Sequence, residues 1–343
     1  MNDAYLQPPA DVGSTTNLAW SPEGIHRLIS RIFTLSDPNS ELYRSTQRYL
    51  QTLSKRSPVE CAKYSPLKVV YGIAGSTDAF EKSFLERVQE QSANFTVQPD
   101  ISKLNADVAR LTDGMLNDVV DPQMTTHATF VVSAFKDRWA AQMKKESAPI
   151  AFTTVSGNKR QVPGFRGKVM AVSSNDKQLV AMLQYNNQRF MAVVVLPRNP
   201  KAAVDFNSIN INGIFDGSAV VQTQNHEIVM PNFDVQCRVT LDPWLKRQGI
   251  AGTKDLFASW KKQDPSGSVQ VTRITVDEEG TRAASFTAVA TYRCIQPVPE
   301  TIVVDRPFGF LILDRSYQAI EFAAVIGDPH PDTSSTQSSC ILS

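Results

Sequence analysis

Apolar positions follow two different rhythms along this chain. Up to about residue 150 helical spacing dominates. Ile25, Leu28, Ile29 and Ile32 form one stripe, which Ser21 can cap with Pro22 in the first helical position. Leu42, Tyr49, Leu50 and Leu53 predict a second helix over 41–53, and Phe80, Phe84, Leu85 and Val88 predict another. Leu104, Val108, Leu111 and Met115 give a further one. Two strands interrupt this half. One is 67–74, rich in Val and Ile and stopped by Gly75; the other is the apolar run 130–135. Beyond residue 150 the pattern becomes strand-like, over 150–155, 167–172, 178–184, 189–196, 219–223, 227–240, 268–276, 301–304, 308–313 and 319–326. Only 241–262 looks helical there. Helices early and strands late place the chain in the α+β class.

Composition narrows the function more than the fold. The 343 residues, 42% of them hydrophobic, are enough for one large core. No linker marks a division near 150. The expectation is therefore one domain over 17–329, with an arm at 1–16 and a polar tail at 330–343. Lys and Arg number 35 against 34 Asp and Glu. That balance argues against nucleic acid or a charged membrane as partner. The opening residues are polar and proline-bearing, unlike a signal peptide, and no apolar run is long enough to cross a membrane. The expected location is cytoplasmic. Cys61, Cys237, Cys294 and Cys340 are scattered and read as reduced thiols. The histidines His26, His127, His226 and His330 lack metal-ligand spacing and stand beside no nucleophile motif. No phosphate-cradling glycine loop occurs. Catalysis, a cofactor and a metal are therefore not expected.

One segment carries more information than the rest. From Val276 the chain runs Asp277-Glu278-Glu279-Gly280, then a series of small residues to Ala290. With period two, Thr281, Ala283, Ser285, Thr287 and Val289 share one face. All five are small or β-branched, so this face can enter a packed sheet without overpacking. Arg282 and Phe286, the bulky members of the segment, fall on the other face. Gly280 gives backbone freedom where such a segment would hinge. A surface loop of small residues has the same composition, and the pattern alone does not choose between the two.

The neighbouring motifs bear on that choice. Val276 to Ala284, followed after a loop by Asp305-Arg306-Pro307-Phe308-Gly309-Phe310, resembles the reactive-loop region of the serpins. Asn17-Leu18-Ala19-Trp20-Ser21-Pro22 resembles the family's approach to a core helix. Phe135-Lys136-Asp137-Arg138-Trp139 is similar to its Phe-Lys-Gly-x-Trp motif, and Val193-Val194-Val195-Leu196-Pro197 to its strand ending in Leu-Pro. Met230-Pro231-Asn232-Phe233 and Asp255-Leu256-Phe257 continue the series in order. Together these cover roughly 17 to 329. The resemblance implies helices, mainly in the N-terminal half, packed on a large central sheet. It also implies further sheets and an exposed reactive loop at about 278–300.

The chemistry implied is that of a bait rather than an enzyme. A target protease attacks the loop, forms an acyl-enzyme, and is trapped as the loop inserts into the central sheet. Glu278, Glu279, Gly280 and Thr281 would be the hinge, with Ala283, Ser285, Thr287 and Val289 the inserting face. Counting from Gly280 places the cleaved bond at Arg293–Cys294 or Cys294–Ile295. Arg293 before the bond favours a trypsin-like protease; Tyr292 or Cys294 there would suit a chymotrypsin-like, elastase-like or cysteine protease. A non-inhibitory binding protein of the same fold is the alternative. Three departures bear on that alternative. Gly24 replaces a usual serine, Val131 an asparagine and Gln270 a histidine, polar groups that normally meet where the sheet opens. Their loss means either a repacked solution or a lost gate. A monomer is expected. Finally, Cys340-Ile341-Leu342-Ser343 matches a prenylation box, with the serine favouring farnesyl; a chance match in a polar tail is the other reading. A single lipid chain would give weak, reversible membrane association.

Overall fold

The computed structural model describes residues 17–36, 38–52, 66–75, 86, 88, 95–117, 119–120, 127–223, 225–250, 268–281 and 300–330. The N-terminal half begins with β1 (Asn17–Trp20), α1 (Pro22–Leu35) and α2 (Glu41–Thr52). It continues through β2 (Leu67–Gly75), β3 (Phe95–Gln98), α3 (Ile101–Leu111) and β4 (His127–Phe135). Short strands β5 (Asp137–Arg138) and β6 (Lys144–Lys145) lead to β7 (Ile150–Thr153), β8 (Lys159–Val162), β9 (Gly164–Lys168) and β10 (Ala171–Ser174). Then come β11 (Gln178–Gln184), β12 (Phe190–Pro197), α4 (Ile211–Phe215) and β13 (Val221–Gln222). The chain goes on through β14 (His226–Pro231), β15 (Phe233–Thr240), α5 (Asp242–Arg247), β16 (Ser268–Val276) and β17 (Gly280–Thr281). It ends in β18 (Glu300–Val303), β19 (Phe308–Asp314) and β20 (Ala319–Ile326).

Three sheets carry the fold. The largest has the order β1-β20-β19-β12-β11-β10-β13; a five-stranded sheet has β15-β16-β4-β2-β3; and a third has β18-β14-β9-β6. Every residue of β12 and β19 is buried, as expected of strands covered on both faces. By contrast β15 alternates, with Phe233, Val235, Cys237 and Val239 turned inward. Phe233 joins the layers through edge-to-face contacts with Phe308 and Phe310, at 5.7 and 5.3 Å between ring centroids. Cys237 is a buried free thiol whose sulfur accepts from the Ala19 backbone N–H at 3.1 Å; the other three cysteines lie outside the described residues.

Helix α1 is capped by Ser21, which accepts from the Gly24 N–H at 3.1 Å, and is buried almost all round. A helix enclosed this way must bury whatever polar groups it carries. Glu23, His26 and Arg27 are therefore inside, and Arg27 donates two hydrogen bonds to the wholly buried Glu321 of β20, at 2.9 and 2.8 Å. Burial pushes the Glu321 carboxyl up from its ordinary value; Arg27 opposes that shift, and Glu23 and Asp314 add to it.

Several expected boundaries moved. Asn17–Trp20, read as a lead-in to a helix, is a strand paired with β20. The run 227–240 is two strands in two sheets. Pairing with β9 ends just past Pro231, which has no N–H to give: Asn232 donates one last in-register bond to the Pro163 carbonyl at 3.0 Å, and from Phe233 the chain pairs with β16 instead. The helix through Leu104 stops at Leu111, because Asp113 and Gly114 take left-handed φ angles of 53° and 73°. Met115 is buried beyond its end. Within 241–262, the described helix covers only Asp242–Arg247, followed by Gly249 at φ 70°; 251–262 lie outside the described residues. The same holds for the helix expected at Phe80–Val88, apart from Glu86 and Val88.

Candidate functional site at a sheet seam and its hinge

At the centre of the five-stranded sheet, β4 and β16 run parallel, in register from Ser268↔Thr129 to Arg273↔Ala134. Their outer neighbours β2 and β15 are antiparallel to them. A strand running the other way between β4 and β16 would convert this central pairing into two antiparallel ones, which are slightly more stable per residue. Alternation on β16 turns Ser268, Gln270, Thr272, Ile274 and Val276 to the buried side.

The chain leaves the end of β16 through a tight turn. Asp277 and Gly280 exchange backbone hydrogen bonds at 3.0 and 3.3 Å, and the Asp277 carboxylate accepts from the N–H groups of Glu279 and Gly280 at 2.9 and 3.2 Å. Gly280 sits at φ 139°, and a Cβ there would lie 2.3 Å from the Asp137 carbonyl oxygen and 2.6 Å from the Arg138 Cα. Only glycine fits that close approach. Gly280 and Thr281 then pair with Arg138 and Asp137 of β5, which follows β4 after a single residue. Thr281 is wholly buried, its hydroxyl 3.0 Å from the Tyr185 phenol oxygen. Burial pushes the Tyr185 phenol up, partly offset by the Thr281 bond, so the ring stays neutral and can donate. Trp139 stacks on Tyr185 with centroids 4.6 Å apart; its indole N–H donates to the Asp277 carbonyl at 2.9 Å and its backbone N–H to that of Glu279 at 3.2 Å. Glu278 accepts from the Asn232 side-chain amide at 3.4 Å, and Glu279 is exposed. Burial also raises the Asp137 carboxyl, against the backbone N–H groups of Asn187 and Arg138 that donate to it.

Gly280→Ala should thus displace β17 from β5. Strain of this kind costs about 1–3 kcal/mol, and urea unfolding followed by tryptophan fluorescence should show the loss together with an altered native Trp139 signal. An unchanged midpoint would mean that the close approach is not maintained in solution.

Of the residues expected to act, Glu278, Glu279, Gly280 and Thr281 are brought together here. Ala283, Ser285, Thr287, Val289, Arg293, Cys294 and Cys340 lie outside the described residues. Sequence reasoning missed Tyr185 and the hydrogen-bonding role of Trp139. Tyr185 ends an apolar strand and carries no motif; the indole stood in a recognised motif but without an assigned partner.

The three departures have a physical account. The Gln270 side chain is wholly buried: its carbonyl oxygen accepts from the Ser21 N–H at 3.1 Å and its amide donates to the Ser21 carbonyl at 2.9 Å. It thereby ties β16 to the start of α1. Val131 packs in an apolar cluster with Ile25, Leu28 and Ile29. At Gly24 a Cβ would meet the Ser21 and Ser133 hydroxyl oxygens at 2.7 and 2.8 Å, so a serine there would require those side chains to shift.

The site is thus a mixed sheet with a parallel central pair, closed at one end by a glycine turn and the β17–β5 pairing. The family profile for serpins, serine protease inhibitors, matches residues 24–329, and the chain belongs to that family. Serine protease inhibitor 88Ea of Drosophila melanogaster is 26% identical over 285 residues, covering 74% of this chain and 67% of that protein. Among solved structures, the thermophilic serpin tengpin in its native state aligns at a TM-score of 0.74 with 18% identity, covering 93% of this chain and 90% of tengpin. Human thyroxine-binding globulin with its hormone aligns at 0.75 with 17% identity, covering 93% and 94%. At these identities the structures speak for the fold alone.

Proposed function

We propose that the chain inhibits a target protease by offering its 282–299 segment as a substrate and then inserting the first part of that segment between β4 and β16. In the proposed reaction the protease nucleophile attacks the Arg293 carbonyl carbon. The bond to the Cys294 nitrogen breaks, that nitrogen leaves as an amine with a proton from the protease, and Arg293 remains as an acyl-enzyme. Insertion carries the acylated protease away before water completes hydrolysis. The observation that carries this reading is the position of Thr281. It is buried at the mouth of the seam, in a short strand paired with β5 and reached by a turn from the end of β16. Thr281 thus stands at the mouth of the slot that the following segment would fill. A trypsin-like protease is the favoured partner, from Arg293.

The test is incubation with trypsin and a panel of other serine and cysteine proteases, followed by denaturing electrophoresis. A stable covalent complex whose mass includes the chain up to the cleaved bond is the expected result. Plain cleavage with every protease, without a complex, would replace this reading with that of a serpin-fold binding protein.

A further inference from the structure

On the buried side of the β4/β16 seam, register pairs Thr129 with Ser268, Val131 with Gln270 and Ser133 with Thr272. The first pair is satisfied, Thr129 donating to Ser268 at 2.6 Å. In the second, Gln270 holds the Ser21 backbone. The third is different. Ser133 and Thr272 are both wholly buried, and neither hydroxyl has a hydrogen-bond partner among the described residues. A buried hydroxyl without a partner is a standing cost, and two of them level with one another across a seam call for an explanation.

We propose that Ser133 and Thr272 are the receptors for Ser285, which bridges them when the segment enters the seam. The inference rests on the insertion proposed above. Two registers that meet at Gly280 point to the same residue. The turn pairs Asp277 with Gly280 in antiparallel fashion, and counting along that hairpin puts Ser285 opposite Thr272. On the other side, Gly280 pairs with Arg138 and Thr281 with Asp137; continuing that count from β5 into β4 puts Ser285 opposite Ser133. A serine hydroxyl donates once and accepts twice, so one side chain can serve both partners. The same counts put Val289 opposite Ser268 and Thr129. Valine offers no hydrogen bond, so insertion that deep parts the Thr129–Ser268 bond. The two hydroxyl pairs should therefore respond to insertion with opposite sign.

The experiment compares intact protein with protein cut once within residues 290–299, verified by mass, by guanidinium chloride unfolding. Ser133→Ala, Thr272→Val and Ser285→Ala should each leave the intact midpoint unchanged or slightly raised. Each should lower the cleaved midpoint by about 0.2 M, the scale of one lost hydrogen bond. In the cleaved form, Ser133→Ala combined with Ser285→Ala should lose less than the two singles together. Thr129→Val should lower the intact midpoint only. Equal shifts in both forms, or strict additivity of the pair, would overturn the assignment. A wild-type protein that gains no stability on cleavage would overturn insertion itself, and the assignment with it. A wild-type gain with unshifted variants would overturn the Ser285 bridge alone.

Discussion

If the proposed insertion operates, replacing Thr287 with arginine should turn covalent trapping of the protease into plain cleavage, while Phe286→Arg should leave most of the trapping in place. The two positions are adjacent in sequence and receive the same charge; the side of the proposed inserted strand distinguishes them. Counting from the Asp277–Gly280 turn puts residue 287 level with Gln270, on the side where β16 buries its alternate residues. There Gln270 is wholly buried with its side chain committed to the Ser21 backbone, and Val131 is wholly buried in an apolar cluster. An arginine would have to enter this layer unpaired, at a cost of about 3–5 kcal/mol, the scale of a buried charge stripped of its partner. In the proposed mechanism insertion competes with hydrolysis of the acyl-enzyme. A penalty of that size, if it acts fully in the insertion step, slows it by about two to four orders of magnitude. The measurement is the yield of covalent complex against cleaved inhibitor at equal protease. Equal loss in both variants would mean that the register is shifted by one residue. No loss in either would remove insertion from the mechanism.

That register shows how far the sequence alone reaches. The close approach at Gly280 was legible because it follows a local rule: a glycine stands where the backbone must pass against another strand. The β16 strand was placed at 268–276 from its strand-like pattern, and the structure has it at Ser268–Val276. What the sequence hides is long-range pairing. Nothing local marks Tyr185 as the partner of Thr281, 96 residues away. Gln270 read as a missing histidine, and its two bonds to the Ser21 backbone span 249 residues. Single turns were also opaque: a short run such as Asn17–Trp20 becomes a strand only because β20 lies beside it.

Glu321 is the sharpest instance, a carboxylate inside an apolar strand, and it supports the second large effect. Arg27→Met should destabilise the protein by about 3–5 kcal/mol, the cost of stranding a buried charge. The mechanism is specific. Arg27 donates two bonds to Glu321 and lies 3.9 Å from Glu23; with the arginine gone, Glu321 loses both bonds, while Glu23 keeps His26 at 3.5 Å. The sign of the pH dependence follows. Burial already raises the Glu321 carboxyl and Arg27 opposes that shift, so its removal raises the group further. A carboxyl raised in the folded state favours folding when protonated. The variant should therefore lose stability as pH rises from the ordinary carboxylate range through the raised folded value, and recover part of the loss as pH falls again. Urea midpoints at pH 5 and pH 8 read this directly, with the gap to wild type wider at pH 8. Combining Arg27→Met with Glu321→Leu removes both charges, and replacing a buried pair with apolar side chains is often neutral. The double variant should then sit well above Arg27→Met alone, with its pH dependence reduced. A single variant as stable as wild type at both pH values would mean that water reaches Glu321, and that the enclosure of α1 is looser than its burial indicates.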